Sequence, residues 1–341
     1  MVPTGPTGPT GPTRSTGAST DVSVFDPQAG TFTADEVAER AGVPLDQAKR
    51  LWRALGFPEV GDEAIFGESD VEALRTLTQS ITGDLVDFDL AVNLTRGLGQ
   101  TMARLSDWEI AALVHQAEGK RHRKEGEEPA SGDGAAALEA ATGVMVEFNA
   151  AFEQLMLYVW RRHMGAAVAR LEAAASGELG TTQLSVGFAD IVQFTALSNT
   201  LTEQKIGDLV ELFESRCADV VAVQRGRIIK SLGDSVLFVN DDPIRAYDTA
   251  EGIINVIGRD PRMPDVRVGL ASGSVVTRLG DVYGPPVNMA ARLTAVARKN
   301  RIIIDETTAA LLPTDQFETR RLPARPVRGF GIVEPVAVRR N

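Results

Sequence analysis

Cysteine is nearly absent from this 341-residue chain, where Cys217 stands alone. A single thiol forms no intramolecular disulfide and no thiolate zinc cluster, which fits a reducing compartment. Histidine is also scarce. Imidazole as a group titrates near neutrality, so His115, His122 and His163 offer a proton input, but three in a chain this long are better read as incidental. Cations are outnumbered, 35 Lys and Arg against 46 Asp and Glu, for a net charge of −11. That balance excludes the chain as a whole from binding nucleic acid or an anionic membrane surface, because phosphate contact needs a basic face. No run approaches the about 18 apolar residues of a membrane-spanning helix, so no stable membrane insertion is expected. The N-terminus lacks the basic, apolar, small-residue order of a signal peptide, and a cytoplasmic protein is expected.

What is present is an ordinary hydrophobic content of 43 %, enough for a sizeable core, in a length that suggests two domains. Residues 1–30 are Thr, Gly, Pro and Ser with GPT repeated, and read as a disordered tail. From Phe32 the pattern is helical. Val37, Ala41, Val43, Ala48, Leu51, Trp52 and Leu55 place two short amphipathic helices around a turn at Gly42, and a third helix follows, capped by Ser69 or Asp70. This start resembles the winged helix-turn-helix of MerR-type regulators. Its charge does not suit DNA, with five Lys or Arg against ten Asp or Glu between Thr31 and Arg75. Helices continue through Glu118, a charged loop begins at Gly119, and a long helix spans about 135–175 with Val144, Phe148, Phe152, Leu155 and Val159 along one face. The expected organisation is an all-helical regulatory domain at 31–175, a linker at 176–182 and a second domain at 183–341.

That second domain alternates strands and helices. LSVGFAD is strand-like, a helix carries Ile206 to Val221, and RIIK and SVLFV form a hairpin about Gly233. A helix, the strand VRVGLASGSVV, a helix from about Pro285 to Arg298 and the strand RIIID complete a β-α-β-β-α-β order with extensions. The fold class is α+β, a ferredoxin-like sandwich with helices packed on one face of an antiparallel sheet.

Two acids sit at strand ends, Asp190 closing LSVGFAD and Asp234 at the hairpin joint. Each alone serves equally as a helix cap or a turn residue. In a ferredoxin-like sheet the first strand lies beside the hairpin, so the pair converges, and two hard oxygen ligands at a sheet edge suit Mg²⁺. The segment IVQFT leads from Asp190 into a helix whose N-terminus suits a polyphosphate. Farther on, Asn288 and Arg292 lie four apart on one helix face, apart from the more apolar Val287, Ala290, Thr294 and Ala297. An amide and a guanidinium projecting together suit a sugar and a phosphoryl oxygen, although a solvated helix face would look the same.

GFADIVQFTALS, IIKSLGDSVLF and VRVGLASGSVV…GDVYGPPVNMAARL together resemble the three signature blocks of the class III nucleotidyl cyclases, over nearly all of residues 183–338. The helical N-terminal region resembles the regulatory half of actinobacterial adenylate cyclases. The resemblance implies a palm-type catalytic domain in which Asp190, Asp234 and the Ile191 carbonyl hold two divalent cations, Mg²⁺ or Mn²⁺. It implies that Lys230 and Asp281 select adenine, that Asn288 orients the ribose and that Arg292 stabilises the transition state. Phe194 and Thr195 fall in the loop near the phosphates, and Arg328 is placed to serve a terminal phosphate. Two departures stand out: Gln193 where many members have Gly, and RPVRGFG, with Phe330, in place of a lysine-rich stretch.

The reaction implied is ATP to 3′,5′-cyclic AMP and pyrophosphate in a homodimer with composite sites, so that Asp234 and Lys230 of one hairpin serve different sites. The N-terminal domain is expected to regulate the dimer in response to a small molecule, a lipid or a proton. Two alternatives are a MerR-like DNA-binding regulator with a degenerate cyclase domain, which the acidic charge disfavours, and a guanylate cyclase, which Lys230 and Asp281 disfavour. The GGDEF-type signature of diguanylate cyclases is absent.

Overall fold

The computed structural model describes residues 30–59, 61–82, 86–125, 134–174, 181–278 and 280–341. The expected tail, apart from Gly30, and positions 176–180 of the expected linker lie outside these residues. The chain divides into two compact units between Arg162 and His163.

The first unit opens with α1 (Ala34–Ala41) and α2 (Leu45–Leu55). A capping box starts α1: the Thr33 side chain accepts from Glu36 N–H, and the Glu36 carboxylate accepts from Thr33 N–H at 2.8 Å. Gly42 and Gly56 end the two helices in left-handed backbone, as a C-terminal cap requires. α3 (Glu68–Thr82) begins before either expected cap, and Asp70 in its first turn accepts from Gly67 N–H at 2.8 Å. Val37, Ala48, Leu51, Trp52, Val71 and Leu74 close a small core, in which Trp52 stacks on Phe66 with centroids 4.5 Å apart.

α4 (Phe88–Glu125) runs seven residues past the expected end at Glu118, into what was expected to be loop. Lys120, Arg121, Arg123, Lys124 and Glu125 are straight-chain helix formers, and charge alone does not end a helix. α5 (Gly134–Ala174) matches the long helix expected. Val144, Phe148, Leu155 and Val159 of its apolar stripe are exposed in the single chain.

In the second unit β1 (Thr181–Ile191) starts two residues inside the expected linker. The short α6 (Phe194–Ser198) and α7 (Glu203–Val223) replace the one expected helix, because Thr202 restarts it as a new N-cap. There follow β2 (Arg227–Ser231), β3 (Ser235–Asn240), α8 (Pro243–Arg259), β4 (Val266–Arg278), β5 (Asp281–Tyr283) and α9 (Pro285–Val296). The chain closes with β6 (Ile302–Ile304), α10 (Glu306–Leu311), β7 (Phe317–Arg321), β8 (Arg325–Val327), β9 (Gly331–Val333) and β10 (Val336–Arg340).

The main sheet has the order β2-β3-β1-β4-β6-β10-β7, with β5 paired to β4. Its first four strands have the ferredoxin-like order, and among the described residues only β4 and β6 pair in parallel. Period-two alternation buries both faces. Ala189, Ile191, Val236 and Phe238 pack with Phe213 and Cys217 of α7 and with Ala250 and Ile253 of α8. Leu184, Val186, Phe188, Leu237 and Val239 turn to the other face, where Ala290 of α9 lies. The one-face expectation is therefore corrected: α9, outside the βαββαβ unit, covers the second face. Cys217 is fully buried, and burial pushes its thiol up to about 12, which makes it core rather than chemistry.

Candidate active site

Asp190 stands in register with Ser235 at the end of the β1–β3 ladder, and Ile191 N–H donates to the Asp234 carbonyl at 2.9 Å. Gly233, with φ 76°, supplies the left-handed turn that brings Asp234 there, as the hairpin pattern requires. The two carboxylates are neighbours. Burial pushes the Asp190 carboxyl above its ordinary value and the Asp234 charge acts the same way, while Arg267 opposes both. Ile191 has its side chain in the core.

Lys230 lies on β2 just past a bulge between Ile228 and Lys230, and Asp281 begins β5. Their side chains meet: Lys230 Nζ is 2.5 Å from Asp281 Oδ2, with the ammonium 37 % and the carboxylate 22 % exposed. Asp281 Oδ1 also accepts from Val282 N–H at 2.8 Å, which fixes the carboxylate at the strand start. The two residues expected to act on one base are thus brought together within one chain, 51 positions apart.

α9 presents Asn288 and Arg292 to solvent, and neither makes a side-chain hydrogen bond or ion pair among the described residues. The opposite side of α9 is held tightly. Thr294 Oγ1 donates toward the Phe188 carbonyl at 3.3 Å and to the Ala290 carbonyl at 2.8 Å, and Gly269 leaves no room for a side chain beneath it. A cavity of about 220 Å³ beside Asp190 is lined by Phe188, Ser235, Arg267, Ala291, Thr294 and Ala295. Asn288 and Arg292 do not line it. Within one chain Asp190 lines this cavity, whereas Asp234, Asn288 and Arg292 do not.

The remaining expected residues are more dispersed. Gln193 adopts φ 59°, a left-handed conformation that explains why glycine suits this position. Phe194 packs against the core below α7 and α8, while Thr195 is exposed on the five-residue α6. Arg328 is exposed in the turn of the β8–β9 hairpin, which belongs to a separate two-stranded sheet, and no described contact joins it to the strand-end acids. His115 and His163 are exposed, and the His122 side chain lies outside the described residues.

Sequence reasoning missed Arg267. It sits on β4 directly opposite Asp190 and donates from Nε to Asp190 Oδ2 at 2.7 Å. The signal was the cation in VRVGLASG, but its target depends on the β1–β4 register, which no local pattern reveals.

Among the described residues no group of three or more His, Cys, Asp or Glu side chains gathers as a metal site. Two adjacent carboxylates at a sheet edge nevertheless fit a hard divalent cation that keeps waters and completes its shell with substrate phosphate. A larger groove of about 980 Å³, between Leu197–Ser215 and Pro261–Pro264, contains none of these acids.

A ferredoxin-like sheet with paired acids where β1 meets the β2–β3 hairpin is the plan of a nucleotidyl cyclase catalytic domain. Residues 179–338 match the family described as adenylate and guanylate cyclase catalytic domain. An adenylate cyclase of Streptomyces coelicolor is 35 % identical over 332 residues, covering 89 % of this chain and 84 % of that one. A pH-sensitive adenylate cyclase of Mycobacterium tuberculosis is 32 % identical over 327 residues, covering 92 % and 79 %. Among solved structures, the adenylyl cyclase CyaB from P. aeruginosa is 22 % identical with a TM-score of 0.43, covering 47 % of this chain and 94 % of that one. The chain belongs to the adenylate and guanylate cyclase family, with relatives named adenylate cyclase matching most of its length.

Proposed function

We propose that the protein is an adenylate cyclase, converting ATP to 3′,5′-cyclic AMP and pyrophosphate at sites completed by a second copy of the chain. The observation that carries this reading is the separation of two intact residue sets: Asp190 with Asp234 at one sheet edge, and Asn288 with Arg292 on the exposed face of α9. A C2 dimer lets each set meet the complementary set of its partner, giving two equivalent sites.

Asp190, Asp234 and the Ile191 carbonyl would hold Mg²⁺ or Mn²⁺ with the nucleotide's phosphates. Bound there, the cations would supply a lowered pKa for the ribose 3′-hydroxyl and charge neutralisation for the departing pyrophosphate. Asn288 orients the ribose so that the hydroxyl faces the α-phosphorus in line, and Arg292 donates to the oxygens on which charge builds. Lys230 donates to N1 of adenine and Asp281 accepts from the exocyclic amine; guanine reverses both demands. Before substrate arrives the two satisfy each other, so adenine enters by exchanging their mutual contact for its own edge.

The N-terminal helical domain is proposed to regulate the dimer through the stretch between α5 and β1. A proton is the input favoured here, supported by the relative named as pH-sensitive. No described helix is long and apolar enough to cross a membrane.

Turnover of ATP against GTP, with Mg²⁺ or Mn²⁺, tests the assignment. The wild type should prefer ATP, and Asp234→Ala should lose about a hundredfold or more in kcat. Equal use of GTP, or an active Asp234→Ala enzyme, would contradict it.

A further inference from the structure

Arg267 is not a surface cation that happens to reach an acid. Its strand position is set by the β1–β4 register, Asp190 opposite Arg267, so the two side chains rise from paired positions of one ladder. Both Nε and Nη2 lie 2.7 Å from the same atom, Asp190 Oδ2. The third nitrogen, Nη1, donates to the Ala295 carbonyl at 3.1 Å. Ala295 is in the last turn of α9, where helical carbonyls lack an intrahelical partner, so the guanidinium is held from two sides. The pair is only 29 % and 17 % exposed, where charge is screened far less than at the surface.

The neighbouring acid has no such partner. Asp234 makes no side-chain hydrogen bond or ion pair among the described residues, and its charge bears on Asp190. Arg267 therefore supplies the compensating charge for a pair of acids that would otherwise repel without relief. With it in place the sheet edge offers an incoming cation one free carboxylate and one whose Oδ2 already accepts from Arg267 Nε and lies 2.7 Å from Nη2. No third acidic, histidine or cysteine ligand gathers there among the described residues.

We propose that Arg267 is a positioning residue that acts as the internal counter-cation of the ligand-free site. It holds Asp190 in place and keeps bare divalent ions from accumulating on the Asp190–Asp234 edge, so that metal enters with the nucleotide. This rests on reading Asp190 and Asp234 as the metal-holding pair. A cation seated on Asp190 through either carboxylate oxygen comes beside the guanidinium, whose positive charge opposes it and which the Ala295 carbonyl holds next to the cavity. The opposition is local, and no strand has to move.

The test uses the full-length protein and Mn²⁺ alone, with nucleotide absent, the free ion being counted by electron paramagnetic resonance. Arg267→Met is expected to bind Mn²⁺ about tenfold tighter or more than wild type, since a full positive charge has been removed within contact distance of the ligand. Arg267→Lys should stay close to wild type. Adding Asp190→Asn to Arg267→Met should abolish the gain, which places it at this site. If Arg267→Met is unfolded by circular dichroism, Arg267→Gln, which retains an amide donor for Ala295, is measured in its place with the same gain expected. A folded Met or Gln variant with wild-type or weaker Mn²⁺ affinity overturns the proposal and leaves Arg267 a strand-to-helix clamp. The underlying metal reading fails separately, if Asp190→Asn binds Mn²⁺ as well as wild type when ATP is present.

Discussion

At position 193 an L-residue occupies a left-handed conformation, φ 59° and ψ 30°, at the entrance to α6. Such backbone costs a residue with a Cβ roughly 1–2 kcal/mol, and a glycine there gives back about 0.4–1 kcal/mol through the freer unfolded chain. Gln193→Gly should therefore stabilise the protein by up to about 1 kcal/mol, seen as a raised urea midpoint with unchanged slope; a lowered midpoint would show that the Gln193 side chain contributes more than its backbone costs. Lys230 and Asp281 show a different single-residue logic. An exposed ion pair contributes little to stability, and these two, 37 % and 22 % exposed at 2.5 Å, lie between surface and core. Their value is better sought in what they release to a base than in what they add to the fold.

Among the elements, α9 bears most on the site, because it carries Asn288 and Arg292 on one side and is seated on β4 and β1 by the other. A Cβ on Gly269 would lie 2.3 Å from Thr294 N and 2.5 Å from the Ala290 carbonyl, both backbone atoms of α9. Gly269→Ala must push the helix outward. We expect a stability loss of about 1–3 kcal/mol and a fall in kcat approaching a hundredfold, as misplacement of about 1 Å commonly brings; a stable, fully active variant would show that α9 does not set the geometry. The order of strands and helices here was legible in the sequence, because period-two runs such as LSVGFAD alternate cleanly between the two cores and β-turn glycines mark the joints. Strand-end position singled out Asp190 and Asp234 and helical spacing the Asn288/Arg292 pair, while the family resemblance supplied Lys230, Asp281 and the Ile191 carbonyl. What stayed hidden depends on pairing between distant segments: Arg267 opposite Asp190, the meeting of Lys230 with Asp281, and the second helical face covered by α9. The extension of α4 through Glu125 has a local reason: dense charge looks like loop, yet the helix propensity of these residues favours helix.

For the whole molecule the question is how much one chain can do alone. α5 leaves Val144, Phe148, Leu155 and Val159 exposed in the single chain, an apolar stripe of the kind that assembly covers. The catalytic unit closes its own cores with residues from Leu184 onward, so it does not need the N-terminal helices for its hydrophobic interior. Removing residues 1–180 should leave a folded domain whose turnover or nucleotide affinity differs from that of the full chain; if both were unchanged, regulation by the N-terminal domain would be excluded. The central claim, a site built from two copies, is tested most directly by mixing two inactive variants, Asp234→Ala and Arg292→Ala. Each alone damages both sites of its dimer. After subunit exchange half the dimers are mixed, and each mixed dimer has one doubly damaged and one intact site, so about a quarter of wild-type activity should return. Recovery to that level supports the composite site, whereas no recovery from a mixture shown by native mass spectrometry to contain mixed dimers would contradict it.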